Sequence, residues 1–375
     1  MSERRFWDAI GEVEALEDIQ PAPELVARAA RLDRARQGIN FYTPTFKAFQ
    51  SSEVSVCGKN AWPAVSITGA KCKLQCDHCK AKILEPMIPA ETPEALWELA
   101  NRLIEHEGAK GMLLTGGSNH RNEVEYGPFL DTIRRIKDRY PAFRFAVHTA
   151  LMSDDDAQAL EQAGVDVAMM DVIGAQETIT QVYHLKRSVD DFEAALAALV
   201  KTNMKVVPHI VAGLHFGEML GEWNALEMVR RHRPDALVLV VVNPIYSNPR
   251  RPFRTPDPEA VGDYMMALGE HLPDLPLLLG CARPAGEVKL RLDTYAVLAG
   301  FSGIAHPADG MVELAVRLGK EVKVTPSCCS ITIGEEVLGD EDSEASFTVD
   351  IQRLMEEKAA ARRGRPLGIP VVAAR

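Results

Sequence analysis

No stretch of this 375-residue sequence stays apolar for the ~18 residues that a membrane-spanning helix requires, so no membrane partner is expected. The opening Met1-Ser2-Glu3-Arg4-Arg5-Phe6-Trp7 lacks the apolar run and small-residue cleavage site of a secretory leader, and the expected location is the cytoplasm. Clustered positive charge is also missing. The formal net charge is −11 and the Lys and Arg residues are dispersed, which argues against nucleic acid, because phosphate-backbone binding rests on grouped basic side chains. The single basic cluster, Arg362-Arg363-Gly364-Arg365, reads as a solvated tail. There is no internal repeat and no low-complexity segment.

What is present is apolar residue, 46% of the chain, arranged in alternating strand and helix signals. Strands are predicted at 63–68, 111–115, 143–149, 165–172, 204–211, 236–242, 275–279 and 301–305. Between them fall helices, the clearest opening at Thr92-Pro93-Glu94, where Thr92 serves as N-cap and Pro93 takes the first helical position. Its apolar residues Leu96, Leu99, Ala100, Leu103 and Ile104 keep the helical period, and Gly108 closes it. Further helices are predicted near 129–140, 154–163, 189–200, 222–231, after Pro258, and over 311–318. Eight β-then-α units without a long interruption point to an α/β fold, a closed and complete TIM-like (β/α)8 barrel. The predicted division is a helical N-terminal extension over 1–50, the barrel over 51–318, and a C-terminal segment over 319–375 with an acidic, mobile run from Gly339 to Glu344.

The chain has seven cysteines, an odd number in a large chain, which makes a disulfide framework a poor reading. Three of them, Cys72, Cys76 and Cys79, lie within eight residues directly after the first predicted strand. Thiolates are the usual ligands of iron–sulfur clusters, and three leave one iron of a four-iron cubane open for a substrate. A structural zinc site, the competing reading, would need four ligands in paired Cys-x2-Cys units, and no second pair matches. The Cys-x3-Cys-x2-Cys spacing resembles the signature of the radical S-adenosylmethionine (SAM) superfamily over roughly residues 60–310, with His78 at its aromatic position. The resemblance implies a [4Fe–4S] cluster on Cys72, Cys76 and Cys79, with SAM as co-substrate and the backbone around His78 near its adenine.

The same resemblance assigns SAM contacts to the ends of later strands, where barrels build their sites. Gly116, Gly117 and Ser118 form the turn that meets the SAM amino group, with Ser118 where the family usually has Glu. Asp171 would contact the SAM ribose or the substrate. Gly213 and Glu222 flank the Gly-rich element after the fifth strand, and Asn243 lies on the adenine side. His148 and His209, near the ends of the third and fifth strands, are candidate substrate or cluster contacts alongside Asp171. Their competing role is that of hydrogen-bonded scaffold.

The remaining cysteines, Cys57, Cys281, Cys328 and Cys329, are candidate ligands of an auxiliary iron–sulfur cluster. Adjacent cysteines such as Cys328 and Cys329 cannot readily form an unstrained mutual disulfide, and their alternatives are metal ligation or plain packing. The segment from Ser153 to Asp166 and then Tyr183 looks like biotin synthase. That enzyme's inner-strand cysteines are absent, however: Ala146-Val147-His148 and Pro208-His209-Ile210 stand there. The stretches Trp62-Pro63-Ala64-Val65-Ser66-Ile67-Thr68-Gly69, Cys76-Asp77-His78-Cys79, Val207-Pro208-His209-Ile210 and Gly280-Cys281-Ala282-Arg283-Pro284 are more similar to biotin-synthase relatives that include the two-protein, archaeal-type lipoyl synthases. This resemblance implies reductive SAM cleavage to a 5′-deoxyadenosyl radical and sulfur insertion into a protein-bound octanoyl chain. The implied partners are a ferredoxin or flavodoxin reductant, a second radical SAM subunit and a lipoyl-domain carrier. Two alternatives stay open: a rearrangement, methylation or ring closure of a small metabolite without auxiliary cluster, and a non-catalytic iron–sulfur scaffold subunit.

Overall fold

The computed structural model describes residues 2–32, 38–44, 51–54, 62–325 and 327–331. Cys57, the acidic run 339–344 and the basic cluster 362–365 lie outside the described residues. Eleven strands form one sheet: β1 (Ile39–Tyr42), β2 (Ala64–Ser66), β3 (Ile88–Pro89), β4 (Gly111–Thr115), β5 (Arg144–His148), β6 (Val167–Asp171), β7 (Lys205–Ala212), β8 (Leu237–Val241), β9 (Leu277–Leu279), β10 (Gly303–Ala305) and β11 (Val322–Thr325). The helices are α1 (Glu3–Gly11), α2 (Pro23–Ala29), α3 (Pro93–Glu107), α4 (Leu130–Arg139), α5 (Asp154–Ala163), α6 (Gln176–Gln181), α7 (Val189–Val200), α8 (Glu222–His232), α9 (Pro258–His271), α10 (Glu287–Leu298) and α11 (Met311–Arg317).

The eight predicted strands are β2 and β4 to β10, adjacent in the sheet in chain order and all parallel. Parallel neighbours need crossovers, and the helices supply them. Three short strands extend the two edges: β1 and β11 lie beyond β10, and β3 beyond β2. Among the described residues no ladder joins β11 to β3, so the barrel is a curled sheet whose edges are left open where a closed ring was expected. The N-terminal extension is helical in α1 and α2, yet it also contributes β1, which pairs with both β10 and β11.

Successive strand residues point to opposite faces, and burial separates the two faces cleanly. Leu237, Leu239 and Val241 of β8 pack with the helices. The alternate face, with Val238 and Val240, joins Leu113, Ala146, Val167, Met169, Val207, Leu278 and Ala305 in the barrel lumen. Two aromatic side chains also fill the lumen, and glycines make room for them. A Cβ on Gly111 would lie 2.3 Å from the Trp62 ring, and one on Gly303 would lie 2.5 Å from the Tyr42 ring. Local signals read from the sequence hold in detail at α3, where Thr92 Oγ1 accepts the Ala95 N–H at 3.1 Å and Gly108 turns left-handed at φ 69°. Among the described residues no helix is long and apolar enough to cross a membrane.

Candidate active site

The β2 strand ends at Ser66, and the chain turns at once into the cysteine loop. Thr68 ties that loop to the neighbouring strand end: its hydroxyl accepts the Gly117 N–H at 2.7 Å and donates to the Lys71 carbonyl at 2.9 Å. The Ser118 carbonyl accepts the Lys73 N–H at 2.9 Å and lies 3.7 Å from Cys72 Sγ. The Gly116-Gly117-Ser118 turn and the cysteine loop, 40-odd residues apart, therefore touch through backbone. Space at Gly117 is exhausted, since a Cβ there would meet the Lys71 carbonyl oxygen at 2.0 Å.

Cys76 is buried, whereas Cys72 and Cys79 are partly exposed. Burial, then the neighbouring Cys79 and Cys72, push the Cys76 thiol well up. Burial would raise Cys79 as well, but the adjacent His78 outweighs it and pulls the thiol down. The six described cysteines are thiols, not disulfides. Three thiolates held this close repel one another, a cost that iron ligation would relieve. Two buried polar atoms beside the triad, His78 Nδ1 and the Tyr183 hydroxyl, have no hydrogen-bond partner, and their rings lie 5.0 Å apart. Buried polar atoms are normally satisfied, so this pair marks where a polar ligand fits. The residues present suit a three-thiolate cluster with a polar co-substrate beside it.

A sharply bent backbone carries the triad. Gln75, Lys80 and Ala81 all have positive φ (50°, 47° and 60°), which costs a non-glycine residue on the order of 1–3 kcal/mol each. Between them, the Asp77 carboxylate is buried and accepts from Asn248 Nδ2 at 2.8 Å, Arg251 Nη1 at 2.8 Å and Lys80 Nζ at 3.0 Å, with His184 Nε2 also at 3.0 Å. Burial would raise the Asp77 carboxyl, but Asn248, Lys80 and His184 hold it below its usual range. The sequence alone does not mark Asp77 as a hub, because His184, Asn248 and Arg251 lie more than a hundred positions downstream and only Lys80 is near.

Inside the barrel mouth, strand parity turns His148, Asp171 and His209 toward the lumen, on the same faces as Ala146, Met169 and Val207. His148 Nε2 lies 3.6 Å from Asp171 Oδ1, and the His148 and His209 rings are 5.2 Å apart. Burial would lower His148, but Asp171 raises it above its usual value. Asp171, despite burial, is held low by His148 and then His209. Burial, then the His148 charge, drive His209 down to about 3, so it stays neutral, with its buried Nδ1 unpaired. The result is a His148 imidazole shifted up and an Asp171 carboxylate shifted down, facing each other beside a neutral His209 imidazole with an unpaired ring nitrogen, a set that can orient a polar ligand group.

The remaining residues anticipated from the sequence fall into two groups. Glu222 is buried, and its two carboxylate oxygens accept the Gly213 N–H at 2.7 Å and the Gly221 N–H at 2.9 Å. It thus shapes the β7–α8 loop, in which Gly213 (φ 75°) packs against Pro256. Asn243 caps the turn after β8 by accepting the Ile245 N–H at 3.3 Å, and that loop reaches the cysteine loop through Asn248 N–H to the Asp77 carbonyl at 2.7 Å. Cys281, Cys328 and Cys329 come together in the lumen cluster, with Cys281 near enough to act on the Cys329 thiol and Cys328 on His148.

Residues 66–228 match the Radical SAM superfamily profile. Among solved structures, methylornithine synthase (PylB) superposes with a TM-score of 0.50 at 13% identity, covering 95% of this chain and 88% of that one. The FeFe-hydrogenase maturase HydG from Carboxydothermus hydrogenoformans gives 0.51 at 13% identity, covering 88% and 77%. At such identity these likenesses concern the fold alone. No curated protein sequence matches the chain. Residues 66–228 are therefore a domain of the radical SAM superfamily, a [4Fe–4S] cluster and SAM being the groups that this domain implies.

Proposed function

We propose that this radical SAM enzyme inserts sulfur into an unactivated C–H of a protein-bound octanoyl chain, in the manner of the two-protein lipoyl synthases. The observation that carries the reading is the second group of thiols, Cys281, Cys328 and Cys329, which share the lumen cluster. Cys72, Cys76 and Cys79 would hold the SAM cluster, with the three lumen thiols as ligands of an auxiliary one. When bound, these groups supply a primary carbon radical able to take hydrogen from an unactivated C–H, and a source of sulfur.

The chain's own residues prepare that chemistry. The Gly116-Gly117-Ser118 turn offers backbone to the amino acid end of SAM at contact distance from Cys72. Tyr183 and His78 carry unpaired buried polar atoms beside the cysteine triad. Asp171 and His148 face each other at 3.6 Å at the mouth, and His209 keeps an unpaired ring nitrogen. Below them, Leu113, Met169, Val207, Val238, Val240 and Leu278 pack as an apolar layer of the lumen, a dry floor that would help protect a reactive radical from water. A ferredoxin or flavodoxin would donate the electron, with a second radical SAM subunit and a lipoyl-domain carrier as partners.

The test is anaerobic reconstitution with iron and sulfide counted per chain, followed by reaction with SAM, reductant, the partner subunit and an octanoylated carrier domain. About eight irons, 5′-deoxyadenosine and a carrier heavier by sulfur are expected. About four irons with SAM cleavage and an unchanged carrier would move the assignment to a radical reaction on a small metabolite. Clusters that never cleave SAM would leave only a scaffold.

A further inference from the structure

The cysteine turn from Gln75 to Ala81 is tied from within by Lys80, whose N–H donates to the Cys76 carbonyl at 2.9 Å and whose Nζ donates to the Gln75 carbonyl at 2.7 Å, and from outside by remote segments. Three of its residues are non-glycine and left-handed, a conformation that persists only when surrounding contacts over-determine it. Two of the cluster thiols, on Cys76 and Cys79, sit inside this turn, and most partners of the Asp77 between them come from elsewhere in the chain. Asp77 N–H donates to the Val182 carbonyl at 2.9 Å, and its own carbonyl accepts the Asn248 N–H at 2.7 Å. Its carboxylate, 2% exposed, takes His184 from one remote segment and Asn248 and Arg251 from another. Those two segments are themselves bolted together: Arg251 Nη1 donates to the Gln181 carbonyl at 2.7 Å, and the guanidinium lies 4.8 Å over the Phe216 ring. His184 is also left-handed, at φ 58°.

We infer that Asp77 is a positioning residue that fixes the Cys76–Cys79 turn in its cluster-binding form by locking it to residues 181–184 and 248–251. The inference rests on the reading of Cys72, Cys76 and Cys79 as cluster ligands. Its consequence is that side chains on the loop after β8, which ligate nothing, govern how tightly iron is held. Because that loop also carries Asn243, the lock sets the cluster and the loop beside SAM in fixed register.

The test uses the full chain, reconstituted anaerobically, with two readouts besides turnover: the rate of iron loss to a ferrous chelator, and the electron paramagnetic resonance spectrum of the reduced cluster. The variants are Asp77→Asn, Asp77→Ala, the double variant Asn248→Ala/Arg251→Ala, and all three changes together. Arg251 is 41% exposed at its side chain, so the double variant is expected to fold even if Asp77→Ala does not. Several-fold faster iron loss and an altered spectrum are expected in the double variant, with Asp77→Asn lying between it and the wild type. The triple variant should be no worse than Asp77→Ala alone, the non-additivity of groups acting through one contact. A purely structural role would lower the melting temperature of the iron-free protein and leave both cluster readouts unchanged, which would overturn the inference. Wild-type chain that binds no iron at all would instead overturn the ligand assignment, so the two failures are distinguishable.

Discussion

Gly117 and Cys72 pack backbone against backbone: a Cβ on Gly117 would stand 2.6 Å from Cys72 Cα and 2.7 Å from its Cβ. The turn after β4 and the first cysteine of the triplet therefore share one steric constraint, and neither can shift without the other.

Gly117→Ala should consequently push the cysteine loop off the turn, because the atoms it strikes are backbone. A displacement near 1 Å at a reacting centre costs about 100-fold in rate, and a loss of that order in 5′-deoxyadenosine formation is expected, together with reduced iron content. Gly116→Ala is the control. Its Cβ meets Ile67 Cγ1 at 2.9 Å and Thr68 Cγ2 at 3.2 Å, side-chain atoms that can yield, so a milder loss is expected. Equal effects from the two variants would show that the close approach at Gly117 has no special role.

Tyr183 is 5% exposed and its hydroxyl has no partner, which normally destabilises by ~1–3 kcal/mol. Tyr183→Phe removes that hydroxyl and keeps the ring beside His78. The SAM-free protein is expected to melt at the same temperature or higher, while equilibrium binding measures a SAM affinity weakened several-fold. A lower melting temperature with unchanged affinity would place the hydroxyl in the scaffold.

The lumen thiols can be tested apart from the triad. In Cys281→Ala or Cys328→Ala/Cys329→Ala protein, iron should fall from about eight to about four per chain. SAM cleavage should survive and sulfur transfer should vanish. Iron unchanged by these substitutions would reduce the lumen cysteines to packing.

Arg283 and Asp293 form a buried pair with N–O distances of 2.7 and 2.9 Å, side chains 1% and 0% exposed. Arg283 also donates to the Gly280 and His306 carbonyls, so the pair braces the end of β9 beside Cys281. Asp293→Ala leaves a buried guanidinium uncompensated, and denaturant unfolding should report a loss of ~3–5 kcal/mol. Burial would raise the Asp293 carboxyl, but Arg283 and Lys289 hold it below its usual value. Its stabilisation is therefore present above the unfolded-state value of about 3.9 and lost as pH falls through the lower folded value. The variant's stability should accordingly fall less steeply on acidification than the wild type's.

Read alone, the sequence determined what short-range chemistry controls. Eight buried strands were legible because β-branched and leucine runs such as Leu237–Val241 recur between capped helices. Thr92, Ser153 and Ser188 each accept the backbone N–H three positions on, a contact spanning one helical turn. The thiol triplet was legible because all three cysteines ride on one loop. The strand β1 was missed because four residues carry no period, and α10 because its last turns are buried on every side. Only the tertiary structure could decide which remote groups meet: that Asp77 reaches Arg251, 174 positions away, that Cys281 and Cys329 share the lumen, and that Glu222 folds back on its own loop. The curl of the sheet brings strand ends together in an order unrelated to local spacing, and contacts across it leave no periodic trace in the chain.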